Sequence, residues 1–454
     1  MKRSATLVLV QLALLLVTST SATDDPAASI ACDQWREYVV GLELSNMGIS
    51  GAIPLVIGEL WHLQRLDMSN NIISGAVPPS FGNLTRLNNL NLSNNSISGS
   101  ILATGIYRQP HVPQGSQCFL QLISGAIPST LGDLLQLQNL DMSSNNISGA
   151  IPLAIGNLSS LQNLDMSNNH LTGQIPAELS NLGNINMLSL SNNQLHGSIP
   201  PSLSELTDMF YLSLRHNNLS GEIPGTASSD TLADVAAEIF GILGLFSNKL
   251  TGTLPVWLTN CTSLVVLDVG NNSLADELPT SIVSGKTYLE YLDLSSNQFW
   301  SHDGGNNLLE PFFVAVSNSS REYAAPFDWH DDYDELPLPW WLTSTHWAPL
   351  QPGGLWSPQL AVVLSDNALT GEIPPCIGNV TTTLGELDLS GNMLSGSIPS
   401  SIASLQRIRI LSLQRNMLSG EIPASLGRCA SLLRLDLSSN LLTGSLMTVD
   451  ADEP

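Results

Sequence analysis

Leu140-Asp141-Met142-Ser143-Ser144-Asn145-Asn146-Ile147-Ser148-Gly149 is followed, twenty-four residues on, by Leu164-Asp165-Met166-Ser167-Asn168-Asn169-His170-Leu171-Thr172-Gly173. Self-similarity at a fixed period of this size constrains a fold more tightly than composition does. A unit this small cannot bury its own apolar face and must stack on its neighbours. The chain is therefore expected to be a solenoid, whose extended surface suits binding better than it suits a closed catalytic pocket.

Aligned on the asparagine of each unit, the anchors are Asn71, Asn95, Asn145, Asn169, Asn193, Asn217, Asn248, Asn272, Asn297, Asn367, Asn392, Asn416 and Asn440. Met47 and Gln121 hold the same register in degenerate units, so about fifteen coils are expected. Most intervals are 24 residues; the large exceptions are 31 before Asn248 and 70 before Asn367.

Each repeated position has a physical task. The alternating Leu-x-Leu has the two-residue period of a strand, so stacked coils pair into one parallel sheet. An inward Asn amide, with two donors and one acceptor, can serve the backbone groups left open where the strand turns. Gly after Ser or Thr permits the next turn, and Pro after Ile, Val or Leu ends the ladder. The later Ile155-Gly156-Asn157-Leu158 pattern predicts a short helical turn on the outer wall.

The Gly-x-(Ile/Val/Leu)-Pro step recurs eleven times, as at Gly51–Pro54, Gly149–Pro152 and Gly420–Pro423. With Leu-Ser-x-Asn-x-Leu-Ser-Gly it resembles the plant-type leucine-rich repeat of receptor-like kinases, receptor-like proteins and polygalacturonase-inhibiting proteins. The resemblance covers about Val39 to Leu446. It implies an α/β leucine-rich-repeat solenoid, a superhelical horseshoe with a parallel sheet on the concave face and short helical turns on the convex face.

Lys2 and Arg3 precede an apolar run from Leu7 to Val17 and then small residues to Ala22, the order of a secretory signal peptide over residues 1–22. Eleven apolar residues are short of the ~20 that span a bilayer, so no transmembrane segment is expected in this chain. Ten sequons agree with a secretory, extracellular or cell-surface location: Asn83, Asn91, Asn94, Asn146, Asn157, Asn218, Asn260, Asn271, Asn318 and Asn379. The net charge of −24 excludes nucleic acid as a partner. A kinase would need a glycine-rich loop, a strand lysine and a His-Arg-Asp segment. The sequence holds none of these, and no cofactor or metal is expected.

Five cysteines are too few and too scattered for a disulfide framework. Cys261 and Cys429 read as buried thiols of the outer wall. Cys32 beside Trp35 resembles a remnant of the family's N-terminal cap, truncated here to residues 23–38. The last coil, without a cysteine cap, would expose its core after Leu446, before a tail over 447–454. The chain reads as a truncated receptor ectodomain.

Coils are expected over 39–299 and 360–446, interrupted at three places. Residues 100–120 keep the register and lose the strand, which reads as an eroded coil, with a projecting loop as the other reading. Residues 226–239 add seven residues to the outer wall. Residues 300–359 form an insert with six of the nine tryptophans and an acidic run from Asp328 to Glu335. Some receptors of the resembling families place a ligand-binding island at this location; a partly eroded pair of repeats is the competing reading. Trp329 and Tyr333 are its candidate contact residues, since aromatic groups beside charges make binding hot spots.

On the strand face, departures from the repeated Ser and Asp carry more information than the consensus. Tyr211, Arg215, His216, Phe246 and Tyr291 are the candidate ligand contacts. The expected function is non-catalytic extracellular recognition of a peptide, protein or glycan, with a receptor kinase or co-receptor as partner. The alternative is a secreted inhibitor of a cell-wall-degrading enzyme, similar to the polygalacturonase-inhibiting proteins.

Overall fold

The computed structural model describes residues 29–32, 38–98, 127–225, 240–284, 286, 288–301, 309–318, 359–380 and 384–444. The chain divides into two compact units, residues 1–257 with 271–273, and residues 258–270 with 274–454. The expectations for the signal peptide, for residues 100–120 and 226–239, and for Trp329 and Tyr333 lie outside the described residues.

In the first unit the parallel strands are Val39–Glu43, Arg65–Asp67, Asn89–Asn91, Asn139–Asp141, Asn163–Asp165, Met187–Ser189, Tyr211–Ser213 and Ile242–Gly244. They pair in that order, Leu42, Leu66, Leu90, Leu140, Leu164, Leu188, Leu212 and Leu243 standing in line. The second unit repeats the arrangement with Val266–Asp268, Tyr291–Asp293, Leu360–Val363, Leu384–Asp388, Ile410–Ser412 and Arg434–Asp436. Alternation puts one face of each strand into the coil. Leu161, Leu164, Met166, Leu171, Leu179 and Leu182 of one coil are all fully buried. Each such side chain contributes about 1.5–3 kcal/mol.

The strand of Asn89–Asn91 pairs directly with that of Asn139–Asp141, and Ile97 donates its amide to the Asn145 side chain, forty-eight residues away. The coils of Asn95 and Asn145 are therefore direct neighbours, and fourteen parallel strands of this kind are present among the described residues. The Gln121 unit lies outside the described residues. At the N-terminal edge Ser29–Cys32 pairs antiparallel with Val39–Glu43, satisfying backbone groups of the first coil.

The asparagine ladder is as the chemistry required. Asn169 Oδ1 accepts from the Ile147 amide of the preceding coil at 3.0 Å. Its Nδ2 donates to Met142 O in that coil and to Met166 O and Ser167 O in its own. Asn193, Asn217, Asn392 and Asn416 repeat the pattern.

The outer wall consists mostly of five-residue 3-10 turns that begin after a proline, such as Leu153–Asn157 after Pro152. Successive turns stack so closely that a Cβ on Gly156 would lie 2.3 Å from Glu178 O. That approach is why the motif carries glycine. Among the described residues two places use α-helix instead: α1 (Val256–Asn260) and α2 (Leu309–Asn318). Helix α2 packs against the turns Thr280–Ile282 and Pro375–Asn379, with Leu309, Phe312, Phe313 and Val316 buried. Ten residues of the 300–359 insert are thus the outer wall of a regular coil.

Short parallel ladders also form on the segment after each anchor, for example Ser50–Ala52 with Ile72–Gly75 and on to Ser96–Ile97. These were not expected from sequence. They end before the Ile-Pro step, where proline removes the donor.

Candidate functional site on the strand face

The outward side chains of the parallel strands line up in columns, because each strand pairs in register with the next. In the first unit, Asp67, Asn91, Asp141, Asp165, Ser189, Ser213 and Gly244 form one column. Asp141 and Asp165 are direct neighbours, each accepting from an amide two residues on, Ser143 at 2.9 Å and Ser167 at 2.8 Å. Burial on the crowded face raises the Asp141 carboxyl, and lifts Asp165 to about 6, with the Asp141 charge adding to the rise. On the adjoining column, Asn163 Nδ2 donates to Asn139 Oδ1 at 2.6 Å. This half of the face is polar and acidic.

Toward Tyr211 and Ile242 the chemistry changes. Arg215 lies with its guanidinium carbon 5.3 Å from the Phe246 ring centre, and His216 meets the same ring edge-on at 5.3 Å. A cation over an aromatic face contributes about 0.5–1 kcal/mol at exposed sites. Gly244 makes this possible, since a Cβ there would lie 3.1 Å from Arg215 Cδ. Sequence reasoning missed Gly244, although a glycine in a Ser/Asp column was the available signal. Burial and the Arg215 charge lower the pKa of His216.

The structure thus brings Arg215, His216 and Phe246 together. Tyr211 is placed on the same face, 6% exposed, so its ring is part of the packed floor. Tyr291 belongs to the second unit, half-buried, with its hydroxyl donating to Asp293 Oδ2 at 3.2 Å.

Among the described residues no group of three His, Cys, Asp or Glu side chains is placed to hold a metal ion. Cys261 and Cys429 are buried in the outer wall, and burial raises both thiols. Lys286 is 1% exposed, and its ammonium donates to the carbonyls of Leu258 and Cys261 at the end of α1. Desolvation lowers its pKa to about 8. An apolar pocket lined by Leu203, Leu206, Met209, Phe240 and Trp257 offers little polar chemistry.

The sequon asparagines sort by location. Asn83, Asn157 and Asn379 end outer-wall turns and are exposed, as are Asn146, Asn218 and Asn260. Asn94 and Asn271 are exposed at left-handed turn positions, φ 51° and 52°. Asn91 is half-buried on the strand face, its Oδ1 accepting from the Ser93 amide and hydroxyl. Asn318 is the last residue of α2.

A parallel strand column, an asparagine ladder and stacked outer-wall turns define a leucine-rich-repeat solenoid, a fold typical of recognition modules without catalysis. The family model described as Leucine Rich Repeat matches residues 62–84, 136–158, 160–182, 184–206, 383–405 and 407–429. Serine/threonine-protein kinase BRI1-like 1 of Arabidopsis thaliana is 32% identical over 175 residues, 36% of this chain and 14% of that protein. The crystal structure of a TDR receptor is similar at TM-score 0.63 and 26% identity, over 89% of this chain and 60% of that one. The plant peptide hormone receptor RGFR1, solved in complex with RGF2, is similar at TM-score 0.50 and 25% identity, over 89% and 67%. Matches to curated relatives span 12–14% of those proteins' lengths. The chain carries leucine-rich repeats of the plant type and resembles the ectodomains of receptor-like kinases and receptor-like proteins. No helix among the described residues is long and apolar enough to cross a membrane.

Proposed function

We propose that this chain is the recognition module of a cell-surface receptor system and binds a peptide or protein ligand on its strand face, centred on Arg215 and Phe246. The carrying observation is the abrupt change of that face from Asp and Ser to an arginine laid across Gly244 onto an aromatic ring. Buried aromatic and arginine anchors surrounded by polar rims are where binding energy concentrates. The likeness to a receptor solved with a peptide hormone supports the peptide class. Signal transmission in this reading belongs to a membrane anchor and kinase in the whole protein or in a partner.

The test is selection of a random-peptide display library on the secreted, glycosylated chain. Enriched peptides should bind Arg215→Ser and Phe246→Ser at least about tenfold more weakly than the parent. Both substitutions restore a residue type common on this face, so folding should be kept. Absence of enrichment, or binders indifferent to both changes, would overturn the proposal.

A further inference from the structure

We propose that the side of the first three coils carries a carbohydrate subsite, a stacking platform for a neutral, β-linked pyranose chain with equatorial hydroxyls. Tyr38, His62 and Arg86 hold one register of three consecutive coils. Tyr38 immediately precedes the strand Val39–Glu43, while His62 and Arg86 occupy turns closed by the Leu63 and Leu87 amides onto Leu60 O and Leu84 O. The three side chains form a continuous column. The His62 ring centre lies 3.8 Å from that of Tyr38, and Arg86 Nη1 donates to His62 Nδ1 at 3.0 Å. A guanidinium cannot accept, so His62 accepts at Nδ1 and carries its hydrogen on Nε2. Beside the column the Trp61 ring lies 3.6 Å from His62 and 5.8 Å from Tyr38, and this residue is 43% exposed. Later coils place Gln136, Ser160, Asn184 and Asp208 in the register of the column, so the aromatic cluster belongs to the first coils and not to the repeat.

The chemistry of the cluster selects the ligand. An aromatic face is the negative side of a quadrupole, and the C–H bonds of a pyranose are made electropositive by the oxygens beside them. Where every hydroxyl is equatorial, as in a β-1,4-glucan, those C–H bonds gather on two flat faces and the hydroxyls point out from the rim. The cluster has the matching layout, a partly exposed Trp61 ring with exposed polar Glu59, Gln64 and Arg86 on its own turn and the next. Arg86 uses part of its fork of N–H donors on His62 and keeps the rest for hydroxyl oxygens. At the strand spacing the column extends ~10 Å, enough for a short run of sugar rings. Charge argues against an acidic glycan. The chain carries −24, Arg65 faces Glu43 at 4.0 Å, and Arg86 is held by His62. A protein partner would need an apolar interface core within roughly 800 Å² of buried surface, which one exposed ring does not supply. The same sugar chemistry has a second source, the chain's own glycan, because Asn83 begins a sequon three residues before Arg86.

The experiment is calorimetric titration of the secreted full chain, and of its Asn83→Gln form, with cellohexaose. Maltohexaose and a hexagalacturonide serve as the α-linked and acidic controls. Cellohexaose should bind the Asn83→Gln chain at least about tenfold more tightly than either control. In that background Trp61→Ala should weaken binding at least about tenfold, Trp61→Phe by less because a ring remains, and Arg86→Ala by a few-fold. If Trp61→Ala lowers the melting temperature, Trp61→Leu, apolar without a flat face, supplies the comparison. Equal binding by the parent chain assigns the platform to a free glucan. Binding seen only after Asn83→Gln assigns it to the chain's own sugar, and the carbohydrate subsite stands in both cases. No binding of cellohexaose at about 1 mM, controls that bind equally, or binding indifferent to position 61 would overturn the proposal.

Discussion

Arg415 Nη2 lies 2.8 Å from Asp366 Oδ1, and the coil between them contributes Gly391 beneath the pair. All three residues precede an anchor asparagine and share a left-handed backbone, φ 56°, 52° and 63°. Other coils place Asn70, Asn168 or Ser439 at this position, so the backbone alone does not demand glycine. The side chains above it do, since a Cβ on Gly391 would stand 2.0 Å from Asp366 Oδ1. Gly391→Ala should therefore cost about 1–2 kcal/mol, through left-handed strain and displacement of the pair. Arg415→Ala should cost under about 1 kcal/mol, because both partners are exposed. Urea unfolding midpoints decide the order, and a larger loss for Arg415→Ala would contradict this account.

The ladder makes a stronger demand. Removing the Asn169 amide would leave the Ile147 N–H without its partner and take from the Met142 carbonyl its 3.0 Å donor, leaving it Asn145 Nδ2 at 3.3 Å. Each unsatisfied buried group costs about 1–3 kcal/mol, so Asn169→Ala should lose roughly 2–4 kcal/mol. Asn440→Ala, in a coil whose Leu435 is 41% exposed, should lose about half as much. Amide hydrogen exchange should show faster opening at Ile147 in the first variant. Protection there equal to the parent would rule the ladder out as the main support of that turn.

Asp165 gives the strand face a pH dependence with a definite sign. Its folded pKa of about 6 stands above the ordinary 3.8. Between those values the folded chain holds a proton that the unfolded chain has lost. The stability this contributes is full below the unfolded pKa and is lost as pH rises through the folded one. Asp165→Asn keeps an acceptor for the Ser167 amide while removing the charge beside Asp141. It should raise stability by roughly 1–2 kcal/mol at pH 7.5 and leave it nearly unchanged at pH 4. Denaturant melts at the two pH values test this, and stabilisation confined to acid pH would reverse the assignment.

The repeat was legible because every coil poses the same hydrogen-bonding problem and answers it with the same asparagine. What stayed hidden depends on neighbours that the period does not encode. That the coil of Asn95 stacks directly on that of Asn145 is shown by Ile97 reaching Asn145, a contact between residues that no local pattern relates. The short ladders after each anchor form because adjacent coils agree, although each strand alone is as short as two or three residues. Helix α2 was within reach, since Leu309, Phe312, Phe313 and Val316 have helical spacing. At the candidate site the off-consensus Arg215, His216 and Phe246 were readable, whereas the burial of Tyr211 and the role of Gly244 depend on the strand next door.

That helix leads to a separation within the insert. Phe312 and Phe313 are fully buried and edge-on to each other at 5.5 Å, so Phe312→Ala should cost about 3–5 kcal/mol. The strand Tyr291–Asp293 pairs directly with Leu360–Val363, and Ser301 is tied to Thr370 by hydrogen bonds of 2.9 and 3.0 Å. The coil is therefore closed by described residues on both sides of 319–358. Replacing that segment with a five-residue link, like the one joining Asn157 to Asn163, should leave the melting temperature within a few degrees of the parent. Phe312→Ala in the full chain should lower it by more. If the deletion is the more damaging of the two, the coil depends on the insert and α2 is not what closes the outer wall there.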